Sequence, residues 1–314
     1  MGIFSRNKKS QSLLVFELQT DGVCVTQVAH SKGNKPQVLL AKFYPLAQTE
    51  TSAVLTRINK ELRVKNYQCG HLLSTGEYQL LTVETPNVPA PELKTAVRWL
   101  LKDMLDYHVD DATIDVLDIP VDKNAPARKA MMFVIAARNQ LIEQRQALFE
   151  NANNNLSVID IPDLAQRNIA NLIATTERGL ALLSFDNNGG LLTISYQGEL
   201  YLSRRLDINL TQLGTLDSEL KTRLFEKITL ELQRSFDHIE RQYQFLNLEK
   251  LVLTPALPEL IELTEFLSSN LYIPVSCIAL DTLFGLTPEL QTPTQQSRFF
   301  MSLGAALRLE EKTL

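Results

Sequence analysis

Cysteine is nearly absent: Cys24, Cys69 and Cys277 are the three in 314 residues. Each stands inside an apolar, strand-like run, with no C-x-x-C pair and no helical pair of histidines nearby. That excludes a disulfide scaffold and points to a reducing compartment. An excess of positive charge is missing too. Lys and Arg number 31 against 36 Asp and Glu, a net charge of -5, and the basic residues are dispersed. A nucleic-acid binder needs them clustered to neutralise phosphates, so no nucleic acid is expected as a partner. No apolar run approaches the roughly 20 residues of a membrane span, and Met1–Ser12 carries no signal-peptide core; a cytoplasmic chain with no direct span is expected. Ile3 and Phe4 beside Arg6, Lys8 and Lys9 make a feeble anchor, read here as a solvated tail, and Arg6 stands where N-myristoylation requires Ser or Thr.

Catalytic signatures are missing as well. Neither G-x-S-x-G nor G-x-x-x-x-G-K-[ST] occurs. His30, His71, His108 and His238 are scattered without ligand spacing, and Asp110, Asp111, Asp115, Asp118 and Asp122 read as a solvated acidic edge rather than a metal site.

What is present is a repeated pattern. Leu180–Phe185 and Leu191–Tyr196 are apolar runs around Asp186-Asn187-Asn188-Gly189-Gly190, a hairpin signal, and Gln197-Gly198 closes a second hairpin before Leu200–Leu206. A helical pattern from Leu210 to Leu246 and a strand at Leu251–Leu253 follow. Near the N-terminus the same succession recurs: Leu13–Leu18 and Val23–Ala29 around Gln19-Thr20-Asp21-Gly22, then Val38–Tyr44 after a Gly33-Asn34-Lys35 turn. A helix from about Ser52 to Val64 and a strand at Cys69–Ser74 complete that copy. Two strand-strand-strand-helix-strand units predict a duplicated α/β fold with two facing lobes, its first hairpins turned into the cleft between them. With 45% hydrophobic residues the chain can bury two cores.

Between the copies, Tyr78–Glu84 reads as a strand and Pro86–Pro91 as a stiff connector. A helix from Glu92 to Tyr107, strands at Thr113–Ile119 and Lys129–Ala137 flanking a polar loop, a helix at Asn139–Asn151, a strand at Leu156–Ile161 and a helix at Asp163–Thr175 complete the middle of the chain. A final helix is expected around Arg298–Glu310.

Several runs carry a family resemblance. They are the proline-led entry into Ala96-Val97-Arg98-Trp99, Phe133–Arg138, Val158–Pro162, Leu232–Asp237 and the closing Ser302–Arg308. In order and spacing the chain resembles the PilM family of actin-like pilus-assembly proteins, and within it the branch serving the mannose-sensitive haemagglutinin (MSHA) pilus. The resemblance implies an actin-like fold of the FtsA type with duplicated ribonuclease-H-like lobes. Lobe 1A would comprise residues 1–76 and 156–178, an inserted 1C-like module 77–155, lobe 2A 179–209 and 250–314, and a reduced 2B-like helical region 210–249. It also implies a scaffold docking the N-terminal cytoplasmic tail of a PilN-like bitopic inner-membrane protein, a peripheral place on that membrane through this partner, and contact with the assembly ATPase as a further option.

Nucleotide-binding relatives carry small residues and an acid in the first hairpin, so that backbone amides reach phosphate and the acid orients Mg²⁺. Here Gln19 and Thr20 replace the small residues, Asp21 follows, and the acid is a longer Glu17. The second hairpin, Asp186, Asn187, Asn188, Gly189 and Gly190, is open to two readings, an anion cradle or an ordinary turn. The segment after Leu251–Leu253 has two prolines, Pro255 and Pro258, where relatives carry a glycine-rich adenine loop. A degenerate nucleotide site with no catalytic residues and no cofactor is therefore expected; ATP with Mg, bound by an actin-like ATPase, is the alternative. Val83, Trp99, Val134 and Ile159 are candidates for the tail-binding groove wall between lobe 1A and the module, and each is equally readable as core.

Overall fold

The computed structural model describes residues 12–30, 34–121, 129–175, 177–215 and 217–308. The basic tail, part of the Gly33-Asn34-Lys35 turn, Asp122 and the end of the expected C-terminal helix lie outside those residues.

The chain begins β1 (Leu14–Gln19), β2 (Gly22–Ala29), β3 (Gln37–Pro45), α1 (Thr51–Leu62), β4 (Cys69–Leu72). It then leaves the first sheet for β5 (Tyr78–Glu84), α2 (Ala90–Leu101), β6 (Ala112–Asp118) and β7 (Met131–Arg138), and returns through α3 (Asn139–Asn151) to β8 (Leu156–Asp160) and α4 (Pro162–Ile173). The second half runs β9 (Gly179–Asp186), β10 (Gly189–Tyr196), β11 (Glu199–Leu206), α5 (Leu210–Leu213), α6 (Ser218–Gln242), β12 (Leu248–Leu253), α7 (Ile261–Asn270), β13 (Val275–Cys277) and α8 (Pro293–Ala306).

Two five-stranded sheets result, ordered β3-β2-β1-β4-β8 and β11-β10-β9-β12-β13, each with an antiparallel meander continued by parallel strands. The duplication expected from sequence is thus present strand for strand. β5, β7 and β6 form a separate antiparallel sheet.

The central strands are apolar in unbroken runs because both faces of each sheet are covered. In β1, Leu14 and Phe16 point to a core with Val54, Leu55 and Ile58 of α1 and Phe149 of α3. Val15 and the preceding Leu13 point the other way, with Phe299, Phe300 and Leu303 of α8. In β9, Leu180 and Leu182 join this same inter-lobe layer, whereas Ala181, Leu183 and Phe185 face Ile228, Leu232 and Phe236 of α6. Period-two alternation therefore sorts each strand between an outer core and one shared by both lobes.

The shared layer is held by two crossing helices. Gly304 of α8 sits so close to α4 that a Cβ there would lie 2.3 Å from the Ala165 carbonyl oxygen, and Asn168 Nδ2 donates to the Gly304 oxygen at 3.0 Å. On the lobe 2 side, buried Gln166 donates to the carbonyls of Leu182 and Leu191 at 2.9 and 3.0 Å and to Thr193 Oγ1 at 3.1 Å, while Ser184 Oγ donates to its Oε1 at 2.5 Å. On the lobe 1 side, Thr26 Oγ1 donates to Ser302 Oγ at 2.9 Å. The full set of Gln166 bonds lets a polar side chain sit in an apolar layer.

Three expected helices are corrected. The one from Glu92 to Tyr107 ends at Leu101; Leu105 and Tyr107 still pack on the module's core, but from turns. The long helix from Leu210 is two helices. A capping box of Asn209 and Gln212 starts α5, Gly214 ends it, and Asp217 caps α6, accepting from the Leu220 amide. The last helix starts five residues early, where Thr292 and Gln295 form a capping box ahead of Pro293.

Candidate functional site

The first hairpin is held by a residue 279 positions away. Arg298, on α8, donates from Nη1 to both Asp21 carboxylate oxygens at 3.0 and 2.9 Å and to Gln19 Oε1 at 3.2 Å, and Gln19 Nε2 donates back to the Arg298 carbonyl at 3.1 Å. The guanidinium lies 4.1 Å from the centroid of the Phe43 ring on β3. That ring fits because residue 22 is glycine, a Cβ there falling 2.3 Å from Phe43 Cζ. Gln19, read from sequence as a defect in a phosphate loop, is the residue that orients this arginine. Thr20 is exposed at the tip.

Glu17 lies on the same strand, two positions before Gln19. The residue as a whole is half-buried, but its Oε2 is shut off from solvent with no hydrogen-bond partner among the described residues. Burial pushes its carboxyl up to about 7; hydrogen bonds involving Gln19 and Ser302 oppose that rise and the charge of Asp186 adds to it.

The second hairpin is closed by its own acid. Asp186 Oδ1 accepts from the Asn188 amide at 2.6 Å and the Gly189 amide at 3.0 Å, an Asx turn. Gly189 has φ +140, and a Cβ on it would fall 2.7 Å from the Leu206 carbonyl. Gly190 is packed under the Phe185 ring, and Asn187 and Asn188 are exposed. The amides that a phosphate would need are already bonded to a carboxylate. After β12, Thr254 is buried, its amide donating to the Leu183 carbonyl at 3.1 Å and its hydroxyl to that of Ile278 at 2.9 Å, so the segment carrying Pro255 and Pro258 is tied down against lobe 2. Among the described residues no group of three or more His, Cys, Asp or Glu could hold a metal ion. In the second hairpin the Asn188 and Gly189 amides are thus taken by the turn's own carboxylate, and in the first the Gln19 and Asp21 side chains are taken by Arg298.

The module seam lies elsewhere than expected. Val134 is fully buried and Val83 nearly so, in a core with Val97, Leu101, Ile114 and Met132 under α2, so neither can wall a groove. Trp99 is 74% exposed on the outer side of α2. Only Ile159 reaches the seam. There Leu73, Ala137 and Ile161 are buried, and Ile135, Leu141, Ile142 and Ile159 pack partly buried around them. The error is one residue of register: on β7, Met132, Val134 and Ala136 face α2, whereas Phe133, Ile135 and Ala137 face away from it. Farther along, Phe133 and Ile119 enter the core of lobe 2. β8, which carries Ile159, is the outermost strand of its sheet, and among the described residues no strand pairs with its outer edge.

No protein-family profile and no curated protein matches the chain. Solved structures do. The chain is similar to the PilM–PilN type IV pilus biogenesis complex with a TM-score of 0.70 at 18% identity, over 95% of this chain and 98% of that one. A Bacteroides thetaiotaomicron protein of unknown function with an actin-like ATPase fold matches at 0.50 and 13% identity, over 90% and 97% of the two chains. The fold is actin-like. The cytoplasmic domain of EpsL, an inner-membrane component of the type II secretion system of Vibrio cholerae, also shares it at 0.50 and 11% identity, over 95% and 96%. Within this actin-like frame the segment from β9 to β13 holds only α5 and α6 between β11 and β12, and among the described residues no helix is long and apolar enough to cross a membrane.

Proposed function

We propose that this chain is a PilM-like, non-enzymatic scaffold of an MSHA-type type IV pilus assembly platform. It works at the cytoplasmic face of the inner membrane and docks the N-terminal cytoplasmic tail of a PilN-like bitopic protein. The observation that carries the proposal is the agreement of fold with the PilM–PilN complex over 95% of the chain, inserted module included. The Asx turn of Asp186, which takes two amides of the second hairpin, and the Arg298 clamp on the side chains of Gln19 and Asp21 support the non-enzymatic part. For the tail we propose the seam between lobe 1 and the module. An extended segment could pair with the outer edge of β8 and set alternate side chains against Ile135, Leu141, Ile142 and Ile159, main-chain bonds giving affinity and pockets specificity. The assembly ATPase remains a second partner in this proposal.

The test is calorimetry of the full chain with a synthetic peptide of the tail. Saturable binding that Ile159→Asp weakens tenfold or more supports the seam; unchanged binding by that variant places the tail elsewhere, and no binding removes the docking role. Deleting the module is a poorer test, because Phe133 and Ile119 are part of lobe 2's core.

A second reading, an ATP-binding clamp, draws on one feature, the charge of Asp186 on the second hairpin acting on Glu17 of the first. Mg-ATP at 100 times its Kd would stabilise a binder by about 2.7 kcal/mol. We expect no thermal shift at millimolar Mg-ATP, and a clear shift would favour the clamp.

A further inference from the structure

Asp163 lies where three parts of the molecule meet. It follows Pro162 in the first turn of α4, and its side chain is only 3% exposed. Tyr78, the first residue of β5, donates its hydroxyl to Oδ2, and Ser203 on β11 donates its hydroxyl to Oδ1. Two residues along β11, Arg205 places Nη2 3.5 Å from Oδ2. The same nitrogen donates to Tyr78 Oη at 2.5 Å, and Nη1 donates to Thr75 Oγ1 at 2.9 Å in the connection from β4 to β5. Gly76, at φ +91, makes the bend that brings Thr75 and Tyr78 to one spot. Around these groups is a cavity of about 300 Å³ lined also by Leu80.

A carboxylate withdrawn from water is tolerated only if its oxygens are bonded and its charge is met. Asp163 meets both conditions with groups drawn from the module and from lobe 2. Burial, then the neighbouring Asp163 charge, drives the Tyr78 hydroxyl well above its ordinary range, so it stays a donor at working pH. Gln166, one turn on in α4, is bonded wholly to lobe 2 and holds the helix to that lobe from within. The Asp163 group differs in adding the module and the Thr75 connection.

We infer that Asp163 is a clasp: one carboxylate fixes the angles among lobe 1, lobe 2 and the inserted module, so that the three move as one body. Loss of either hydroxyl leaves a buried oxygen short of a donor and loosens all three contacts together, not one strand alone.

Hydrogen–deuterium exchange of the full chain tests this with the conservative variants Tyr78→Phe and Ser203→Ala. Each is expected to lower protection about tenfold in residues 72–80, 161–166 and 200–206, including the segments that do not carry the substitution. The double variant should lower the melting midpoint by less than the sum of the singles. Faster exchange confined to the substituted strand, or additive midpoint losses, would overturn the clasp. Both variants remove a single oxygen atom, so the test does not depend on an Asp163 variant that folds.

Discussion

Lobe 1 and lobe 2 share one strand order but stabilise their first hairpins with opposite charges. In lobe 1 an arginine from the last helix bridges Gln19 and Asp21; in lobe 2 the turn's own Asp186 bonds its amides. Lobe 1 also opens between β4 and α3 to admit a module, whereas lobe 2 passes from β12 to α7 with no insertion. The same strand–turn–strand can thus be completed from outside, through side chains, or from within, through the turn's own amides. The comparison also shows where the asymmetry goes: the insertion belongs to lobe 1 by connection, yet part of it is buried in lobe 2.

Four substitutions would break or sharpen this contrast. The largest effect is expected from Phe133→Ala, which empties a buried position shared by the module and lobe 2; about 4 kcal/mol should be lost in chemical denaturation, and a loss under 1 kcal/mol would mean that module and lobe are not joined. Gly304→Ala drives a methyl into the Ala165 carbonyl and should cost about 3 kcal/mol, loosening both lobes since the helix crossing serves both.

Third is a pH effect. The Glu17 carboxyl titrates near 4.5 in the unfolded chain and at about 7 in the fold, so the folded state prefers it protonated. Its favourable contribution is whole below pH 4.5, falls as pH rises toward 7, and is gone above that. Glu17→Gln should therefore gain stability relative to the parent between pH 5 and 8, by about 2 kcal/mol once the residue's partial exposure is allowed for. Parallel stability curves for parent and variant across that range would refute it. The smallest effect belongs to Arg298→Ala, about 1 kcal/mol, because Asp21 is largely exposed and its pairing screened; most of the loss should persist at 1 M salt if contact with Phe43 matters more than charge.

The meanders and their duplication were legible because buried central strands give long apolar runs and Asn/Gly or Asp/Gly turns punctuate them. Residues 254–292 were not, since α7 and β13 are short and the rest is single turns around Pro258 and Pro288, too brief to show a period. Helix α2 was drawn too long because Leu105 keeps the apolar spacing after the backbone has left the helix. At the site, Glu17 and Asp186 were singled out by their place in the hairpins. Arg298 and Asp163 were missed: a lone charge on an amphipathic helix looks solvated, and nothing local tells that it meets residues up to 279 positions distant. The wall residues failed differently. Both faces of β7 are apolar, so alternation cannot say which one looks at α2.

The packing of α8 has a consequence for the order in which the molecule is made. Leu13, Val15, Cys24 and Val28 share one buried layer with Phe299, Phe300, Leu303 and Leu307. These lobe 1 strands therefore keep an apolar face uncovered until α8 has been synthesised. Contacts of such long sequence separation form late and leave intermediates prone to association. The outer core of lobe 2, built from residues between Ala181 and Ile273 apart from the module's Ile119 and Phe133, does not depend on α8, although Leu180 and Leu182 on its inner face do. The outer cores of both lobes can thus form before α8 exists, and the layer that joins them closes only when α8 arrives.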